Sequence, residues 1–298
     1  PTALFEDESI KSWLSPWAQN NISPSDMGAS CIRQKGRFAF FENLQQIGRS
    51  NNGIETVIQK ASQEVHHIAN KSDDRYNILS GQKPVIHLVF SPSGGTGGGT
   101  FLDFIMLIKS LPEKFKLCTY MFLPGFFEHF PGTENVKANA YAALKEIDHL
   151  MGAYNRGYKH IDGIKKWSSY SENNAWQFNW GGGNEPVVIH DHKPLMNLGM
   201  IFDNKLANGD TLLDPMEAYT RVGEVLYKVI SGAGACIDSI LSNSEAHVTT
   251  PSSDISGNKR RNYYSSGIAD ISIDPFIIKD YRRRIFLNYC ISEYLDNS

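Results

Sequence analysis

The stretch HLVFSPSGGTGGGTFLDFIMLI (His87–Ile108) places five glycines and two threonines between two apolar segments. The segment before it, KPVIHLVFS (83–91), is a short apolar run with β-branched residues and predicts a buried strand. The segment after it, Phe101–Ser110, predicts an apolar helix that ends near Pro112. A flexible linker would have a similar composition, but it would not be joined directly to two buried elements. The glycines therefore predict a loop that is fixed between a strand and a helix.

A glycine-rich loop before a helix is a place where anions bind. Glycine allows positive φ angles and a close approach of the backbone to a ligand, and the helix start offers unpaired N–H groups at the positive end of its dipole. Successive amides can surround a phosphate, and Ser93, Thr96 and Thr100 add hydroxyl donors. The loop predicts a phosphate site; the other interpretation is a tight glycine turn without a ligand.

Two common phosphate loops fit this stretch poorly. A Walker-type loop needs Gly-Lys followed by Ser or Thr, and the first lysine after the glycines is Lys109. A dinucleotide fingerprint is followed, about 20 residues on, by an acidic residue at the end of a second strand. Glu113 lies at about that distance but in a polar turn. A dinucleotide-dependent oxidoreductase is therefore a weaker hypothesis.

Strands and helices alternate along the chain, with two consecutive helices before the first strand. Asp214 is the expected N-cap of a later helix, because Pro215 follows it at the first helical position. An inserted loop or hairpin is expected at 158–186. This order is typical of a doubly wound, mainly parallel α/β sheet. The further strands are predicted at 115–125, 197–204 and 263–274, and the further helices at 134–154, 213–232 and 277–295.

The segment SGGTGGG (Ser93–Gly99), here called the signature segment, resembles the signature of the tubulin/FtsZ family. That signature is a small residue, then Gly-Gly-Thr-Gly, then Ser or Ala, then Gly, and six of the seven positions agree. The departure is Gly98, which loses a hydroxyl contact but keeps the backbone shape. In that family the segment wraps the nucleotide phosphates, and the chain is most similar to the large bacterial tubulin-like proteins. The resemblance implies that seven residues bind the phosphates of GTP or GDP: Ser93, Gly94, Gly95, Thr96, Gly97, Gly98 and Gly99.

The resemblance assigns further residues to the nucleotide. Asn204 is the candidate for contact with the guanine base, with Asn208 as the alternative. Tyr219, on the helix that would begin beside the base, would stack or pack there. The segment DMGASCIRQKGRF corresponds to an earlier phosphate-side loop, and Glu134 lies in the predicted first turn of the helix near the ribose. The remaining nucleotide-binding candidates are therefore Gly28, Ala29, Arg33 and Glu134.

The chemistry implied by the resemblance is transfer of the γ-phosphoryl group of GTP to water. Loop amides and the helix dipole would stabilise charge on the phosphate, with Mg²⁺ bridging phosphate oxygens. Family members carry acidic residues after the central helix and insert them into the next subunit's pocket. Asp238 lies at about that place and is the catalytic candidate, with Glu245 and Asp254 as alternatives. The family's Asn-x-Asp pattern is absent. Such a shared site couples a GTPase to head-to-tail filaments. A non-hydrolysing nucleotide-binding scaffold or regulator is the alternative.

The predicted fold is a Rossmann-like nucleotide-binding domain of the tubulin/FtsZ type at 1–212. A central helix at 213–232 leads to part of a second domain at 233–298, which is too short for a complete C-terminal domain of the tubulin type. The family's first strand and first glycine-rich loop have no counterpart before Ser93. The chain begins at Pro1 without an initiator methionine, so we expect either that its natural start lies upstream or that its phosphate pocket is altered.

Composition argues against several other classes. The formal net charge of −3 indicates no general affinity for nucleic acid or anionic membranes. The four cysteines are far apart, as expected in the reducing cytosol rather than in a disulfide framework or zinc site, and no apolar run reaches the length of a membrane span. We therefore expect a cytoplasmic protein. His190 and His192 would share a strand face without an evident third metal ligand, and Asp103 is expected to be an exposed or capping acid rather than a catalyst.

Overall fold

The computed structural model describes the chain in segments. The described residues are 5–22, 28–44, 53–70, 85–111, 115–154, 176–178, 187–189, 195–206, 209–212, 214–230, 239, 243, 263–265 and 275–296. The helices are α1 (Glu8–Lys11), α2 (Pro16–Asn20), α3 (Arg33–Glu42), α4 (Ile54–Asn70), α5 (Gly95–Lys109), α6 (Val136–Tyr154), α7 (Pro215–Ile230) and α8 (Pro275–Asp296). The strands are β1 (Val85–Phe90), β2 (Lys116–Phe122), β3 (Trp176–Phe178), β4 (Val187–Ile189) and β5 (Leu198–Phe202), and a short 3₁₀ helix covers Pro124–Phe126.

The centre of the fold is a parallel sheet in the order β1, β2, β5. In its register Val89 of β1 lies opposite Tyr120 of β2, and β2 pairs with β5 in the same direction. Tyr264 extends the sheet at β5: its amide donates to the Gly199 carbonyl, and its carbonyl accepts from the Ile201 amide. Because these strands run the same way, their carboxyl ends meet at one edge of the sheet, where ligands bind in open α/β folds.

Helices pack on both faces of this sheet. On one face Phe90 stacks on Phe101 of α5, with ring centroids 5.1 Å apart, and Phe104 of α5 in turn meets an aromatic ring of α3 edge to face. Alternate side chains of a strand point to the opposite face, where Phe122 contacts Tyr219 of α7. The middle of β2 is buried throughout, as expected for a parallel strand that is covered on both sides. The predicted α/β class with a parallel sheet is confirmed.

Most predicted elements are present, but one helix begins earlier than predicted. Asp214 caps α7 as expected, since its Oδ1 accepts from the Met216 amide at 2.9 Å. The start of α5 at Phe101 was wrong, because the helix begins at Gly95. Each glycine in a helix costs about 1 kcal/mol relative to alanine, which makes such a start difficult to predict. Packing of the glycine backbone against α3 outweighs that cost.

The expectation that Asp103 is an exposed or capping acid is also wrong. Its side chain is 1% exposed, and its carboxylate accepts from the Arg37 Nε atom at 3.1 Å. Arg37 in turn lies over the ring of Trp13, with Cζ 4.7 Å from the centroid. This ion pair lies between α3 and α5, so it joins the helix of the signature segment to its packing partner.

The chain divides into two compact units, Pro1–Ser266 and Gly267–Ser298. The second unit contains α8, which exposes Phe276 and Phe286. The strands β3 and β4 form an antiparallel hairpin that begins inside the predicted insertion. No helix in the described part of the chain is long and apolar enough to cross a membrane. His190 and His192 lie outside the described residues, and within those residues no three metal-ligating side chains form a cluster.

Candidate functional site

A cavity of about 560 Å³ lies at the carboxyl end of β1. One wall is the turn at 28–31, and the other is the start of α5 at 94–97 together with Thr100. Leu88 and the rings of Phe101 and Phe104 line its apolar part. The cavity therefore brings together two separate groups of predicted phosphate-binding residues. These are Gly28 and Ala29 from the turn and Gly94, Gly95, Thr96 and Gly97 from the signature segment.

The signature segment forms the N-cap and the beginning of α5. Gly94 is the N-cap residue and has an extended backbone, with φ −83° and ψ 173°. The amide of Gly98 donates to the Gly94 carbonyl at 3.2 Å, so the amides of Gly95, Thr96 and Gly97 precede the helical hydrogen-bond ladder. These three amides are at the positive end of the helix dipole and beside the cavity. This is the usual arrangement of a phosphate site at a helix N-terminus.

The glycines allow α5 to lie directly against the backbone of α3. A Cβ atom added to Gly99 would be 2.2 Å from the carbonyl oxygen of Arg33, and one added to Gly95 would be 2.6 Å from the amide nitrogen of Ile32. Gly36 of α3 faces back, since its Cβ would be 2.1 Å from the carbonyl oxygen of Gly95. None of the glycines at 94–99 has a positive φ angle. Close approach to neighbouring backbone, and not an unusual φ angle, therefore accounts for Gly95, Gly97, Gly98 and Gly99.

Gly98 and Gly94 differ in the space around them. A Cβ atom on Gly98 would lie 2.6 Å from the carbonyl oxygen of Pro92. The Ser or Ala that is usual in the family at this position would therefore require a shift of the backbone. An added Cβ on Gly94 meets no atom within 4 Å, and its extended backbone suits any residue. A side chain could thus be introduced at Gly94, on the wall of the cavity, without disturbing the fold.

The turn at 28–31 has a left-handed backbone at three positions. The φ angles are 75° at Gly28, 46° at Ser30 and 56° at Cys31. A non-glycine residue held in this region costs about 1–3 kcal/mol, and such residues cluster at functional sites. An added Cβ on Gly28 would be 3.9 Å from Oγ1 of Thr96. The turn therefore faces the start of α5 across the cavity.

Asn139 of α6 connects the two walls of the cavity. Its Nδ2 atom donates to the carbonyl of Cys31 at 2.8 Å and to the carbonyl of Ser93 at 3.0 Å. Ser93 itself is fully buried, and its hydroxyl donates to the carbonyl of Phe122 at 3.4 Å. The sequence gives little signal for this role, because an asparagine within NVKANAYAAL has no motif or spacing that indicates its partners.

Arg33 contacts the signature segment but does not line the cavity. Its Nε donates to the carbonyl of Gly98 at 2.8 Å, and its two terminal nitrogens donate to the carboxylate of Glu146 on α6. The guanidinium therefore joins α3, α5 and α6 at the beginning of α5. A direct contact of Arg33 with a phosphate stays a prediction.

The turn after β5 lies at the same edge of the sheet as the cavity. Asn204 is 6% exposed, and an added Cβ on Gly125 would be 2.2 Å from its Oδ1 atom, so its side chain lies against the 3₁₀ helix that follows β2. Tyr219 of α7 stacks on Phe126 of the same 3₁₀ helix, with centroids 5.9 Å apart. Asn204 and Tyr219 are thus close to one element but outside the described lining of the cavity.

The remaining predicted site residues lie outside the cavity lining or outside the described residues. Glu134 is exposed and precedes α6; its placement in the first turn was wrong because the helix begins at Val136. Asp238, the catalytic candidate, lies outside the described residues. The alternatives Asn208, Glu245 and Asp254 also lie outside them. The roles of these residues stay predictions.

The described lining of the cavity contains hydroxyl groups but no carboxylate. In proteins Mg²⁺ is usually held by one or two carboxylates together with phosphate oxygens and water. These residues alone therefore do not form a magnesium site, and an ion bound here would rest mainly on the phosphates of a nucleotide.

The family model described as tubulin like matches residues 2–280 of the chain. Neither the comparison with curated proteins nor that with solved structures gives a match. The matched range includes both walls of the cavity and the turn after β5.

Proposed function

Because this chain belongs to the tubulin-like family, we propose that it binds GTP and GDP in the cavity at the carboxyl end of β1. The phosphates lie between the turn at 28–31 and the amides of Gly95, Thr96 and Gly97. The observation that supports this most strongly is the meeting of two specialised backbone segments at one cavity. One is the N-terminus of a helix, and the other is a turn with left-handed residues. Both are suited to an anionic ligand without a lysine.

The base lies further along the same edge, at Asn204. Neighbouring strands are about 4.8 Å apart, so the ends of β1 and β5, with β2 between them, are separated by roughly 10 Å. A nucleotide along this edge has its phosphates at Thr96 and its base at the turn after β5. The amide of Asn204 offers both a donor and an acceptor, which suits the polar edge of guanine.

Hydrolysis in this proposal needs an acidic group from a second subunit. The described cavity lining has no carboxylate to orient a water molecule, and Asp238, after the central helix, is our candidate for that residue on a neighbouring copy. A head-to-tail contact that does not close gives a filament, so GTPase activity and self-assembly belong together. The same lack of a carboxylate also favours the second candidate function, a scaffold that binds the nucleotide without hydrolysing it.

Titration calorimetry with GTP, ATP and NAD tests the binding proposal. The informative variant is Gly94→Leu, because Gly94 lines the cavity and a side chain at this position meets no atom of the fold. Gly223→Leu is the matched control, since Gly223 is an exposed glycine of α7 that also has nothing within 4 Å of an added Cβ. We expect GTP and GDP to bind, ATP and NAD to bind more weakly, and Gly94→Leu alone to lose binding.

Two results would contradict the binding proposal. One is the absence of GTP binding to the folded protein, and the other is unchanged GTP affinity in Gly94→Leu. If GTP binds, phosphate release at increasing protein concentration separates the two candidate functions. Turnover per subunit that rises with concentration supports the assembly-coupled GTPase, whereas binding without turnover at any concentration supports the scaffold.

A further inference from the structure

One side chain holds together the two walls of the cavity. The side-chain NH₂ group of Asn139 carries two hydrogens, and each can donate to a backbone carbonyl, one at Cys31 and one at Ser93. Cys31 ends the turn at 28–31, and Ser93 begins the signature segment. The two carbonyls are acceptors only, so the donor between them must come from another element, and α6 supplies it.

The turn at 28–31 needs such a support. Ser30 and Cys31 have left-handed backbones, and residues in this region persist only where the surrounding structure fixes them. The hydrogen bond to the Cys31 carbonyl acts at the end of the strained pair. Its loss would allow the turn to relax away from the start of α5, which would widen the space for a phosphate.

The same side of α6 holds the signature segment at a second place. Glu146 follows Asn139 by two helical turns, so the two side chains lie on one face of α6. Glu146 pairs with Arg33, whose Nε atom donates to the carbonyl of Gly98. The face of α6 therefore fixes both the beginning of the signature segment, at Ser93, and its later part, at Gly98.

We propose that Asn139 is a positioning residue that fixes the turn at 28–31 against the signature segment before any ligand binds. This role depends on the proposed function in one respect, namely that the ligand is a guanine nucleotide. A site formed in advance binds more tightly, because the ordering of its groups costs nothing at the moment of binding. Asn139 acts through the two backbone segments and does not itself touch the nucleotide.

The test compares Asn139→Ala and Asn139→Asp with the control Asn43→Ala. The aspartate has the same size as asparagine but as a carboxylate cannot donate. Asn43 also donates from Nδ2 to one backbone carbonyl, that of Ala39 at 2.9 Å, but at the exposed end of α3. Affinities for GTP, GDP and guanosine are measured by calorimetry, and hydrogen exchange of the free protein is followed at the amides of Ile32 and Gly98.

We expect both Asn139 variants to lose about ten- to a hundredfold in affinity for GTP and GDP, with the weak affinity for guanosine unchanged. Exchange at Ile32 and Gly98, whose amides donate to the carbonyls of Ala29 and Gly94, should become faster in both variants and stay unchanged in Asn43→Ala. A merely structural role predicts that the affinities for guanosine and GTP weaken together.

The possible outcomes separate this role from the proposed function. If the parent protein binds GTP and Asn139→Ala binds it equally well, the positioning role is refuted and the binding proposal stands. If the parent protein binds no nucleotide, the proposed function fails and hydrogen exchange alone decides. Faster exchange at both amides in both variants then supports the positioning role, and unchanged exchange at either amide refutes it.

Discussion

Replacing Gly99 with alanine should destabilise the protein, whereas the same replacement at Gly223 should stabilise it. Gly99 lies inside α5, where an added Cβ would be 2.2 Å from the carbonyl oxygen of Arg33 and 2.8 Å from the amide nitrogen of Arg37. Both atoms belong to the backbone of α3, which cannot rotate away as a side chain does. Gly223 lies on the exposed side of α7, with nothing within 4 Å of an added Cβ.

The expected magnitudes follow from two opposing effects. Alanine is favoured over glycine inside a helix by about 1 kcal/mol, so Gly223→Ala should raise the free energy of unfolding by about that amount. Because Cβ atoms do not approach backbone atoms below 3.0 Å, Gly99→Ala must separate α3 from α5 by at least about 0.8 Å. Overpacking costs about 1–3 kcal/mol, and a rigid neighbour indicates the upper value. The net expectation for Gly99→Ala is a loss of about 2 kcal/mol, and the two variants should differ by about 3 kcal/mol.

Urea unfolding followed by circular dichroism measures this difference. Equal denaturant slopes in the two variants would show that the change lies in stability and not in the compactness of the unfolded chain. The reasoning is refuted if Gly99→Ala stabilises the protein as much as Gly223→Ala does. That result would mean that α3 and α5 do not cross at the glycines.

Two further predictions concern the ion pair of Arg37 with Asp103 and the partly buried imidazole of His87. Arg37→Met should lower the free energy of unfolding by about 3 kcal/mol, because it removes the guanidinium that faces the buried carboxylate of Asp103. Arg221→Met, which breaks an exposed pair within α7, should change it by less than about 1 kcal/mol; equal losses in urea unfolding would contradict this. Burial lowers the pKa of His87, so the folded protein favours the neutral imidazole more than the unfolded chain does. The contribution of this histidine to the free energy of unfolding is therefore complete above about pH 6.5 and is lost as the pH falls. His87→Gln should therefore reduce the loss of stability between about pH 7 and about pH 5, and an unchanged pH profile would count against it.

The order of strands and helices could be predicted from the sequence, because it depends on hydrophobic periodicity. The apolar run before the glycines and the capping pair Asp214 and Pro215 both indicate local structure directly. The beginning of α5 could not be predicted, since its first five residues have poor helix propensity and its glycines are held by contacts with α3 and with the backbone of Ser91 and Pro92. Local preference and tertiary packing disagree there, and packing decides the outcome.

Only part of the site could be predicted from the sequence. The resemblance assigns Gly28, Ala29 and the signature segment to the nucleotide, and of these Gly28, Ala29 and residues 94–97 line one cavity. Their contact with a nucleotide stays a prediction. Asn139 and Glu146 could not be found in that way, because their function depends on which backbone groups the fold brings to α6. The burial of Asp103 could not be predicted either. An acidic residue just after the signature is expected to be exposed, and its pairing with Arg37 depends on a helix crossing that no local pattern encodes.

The close packing of α3 and α5 has a consequence for how such signatures change during evolution. Gly95 and Gly99 are needed for the contact with α3, and Gly97 and Gly98 for the contact with the backbone of Ser91 and Pro92. These contacts exist with or without a ligand, so selection for stability alone would preserve the four glycines. A descendant that has lost its nucleotide would then keep a nearly intact signature. Changes should accumulate first at Gly94 and Thr96, because both line the cavity, Gly94 has free space for a side chain and Thr96 is exposed. These two positions, rather than the glycine pattern as a whole, should therefore distinguish relatives that keep only the fold from relatives that also keep nucleotide binding.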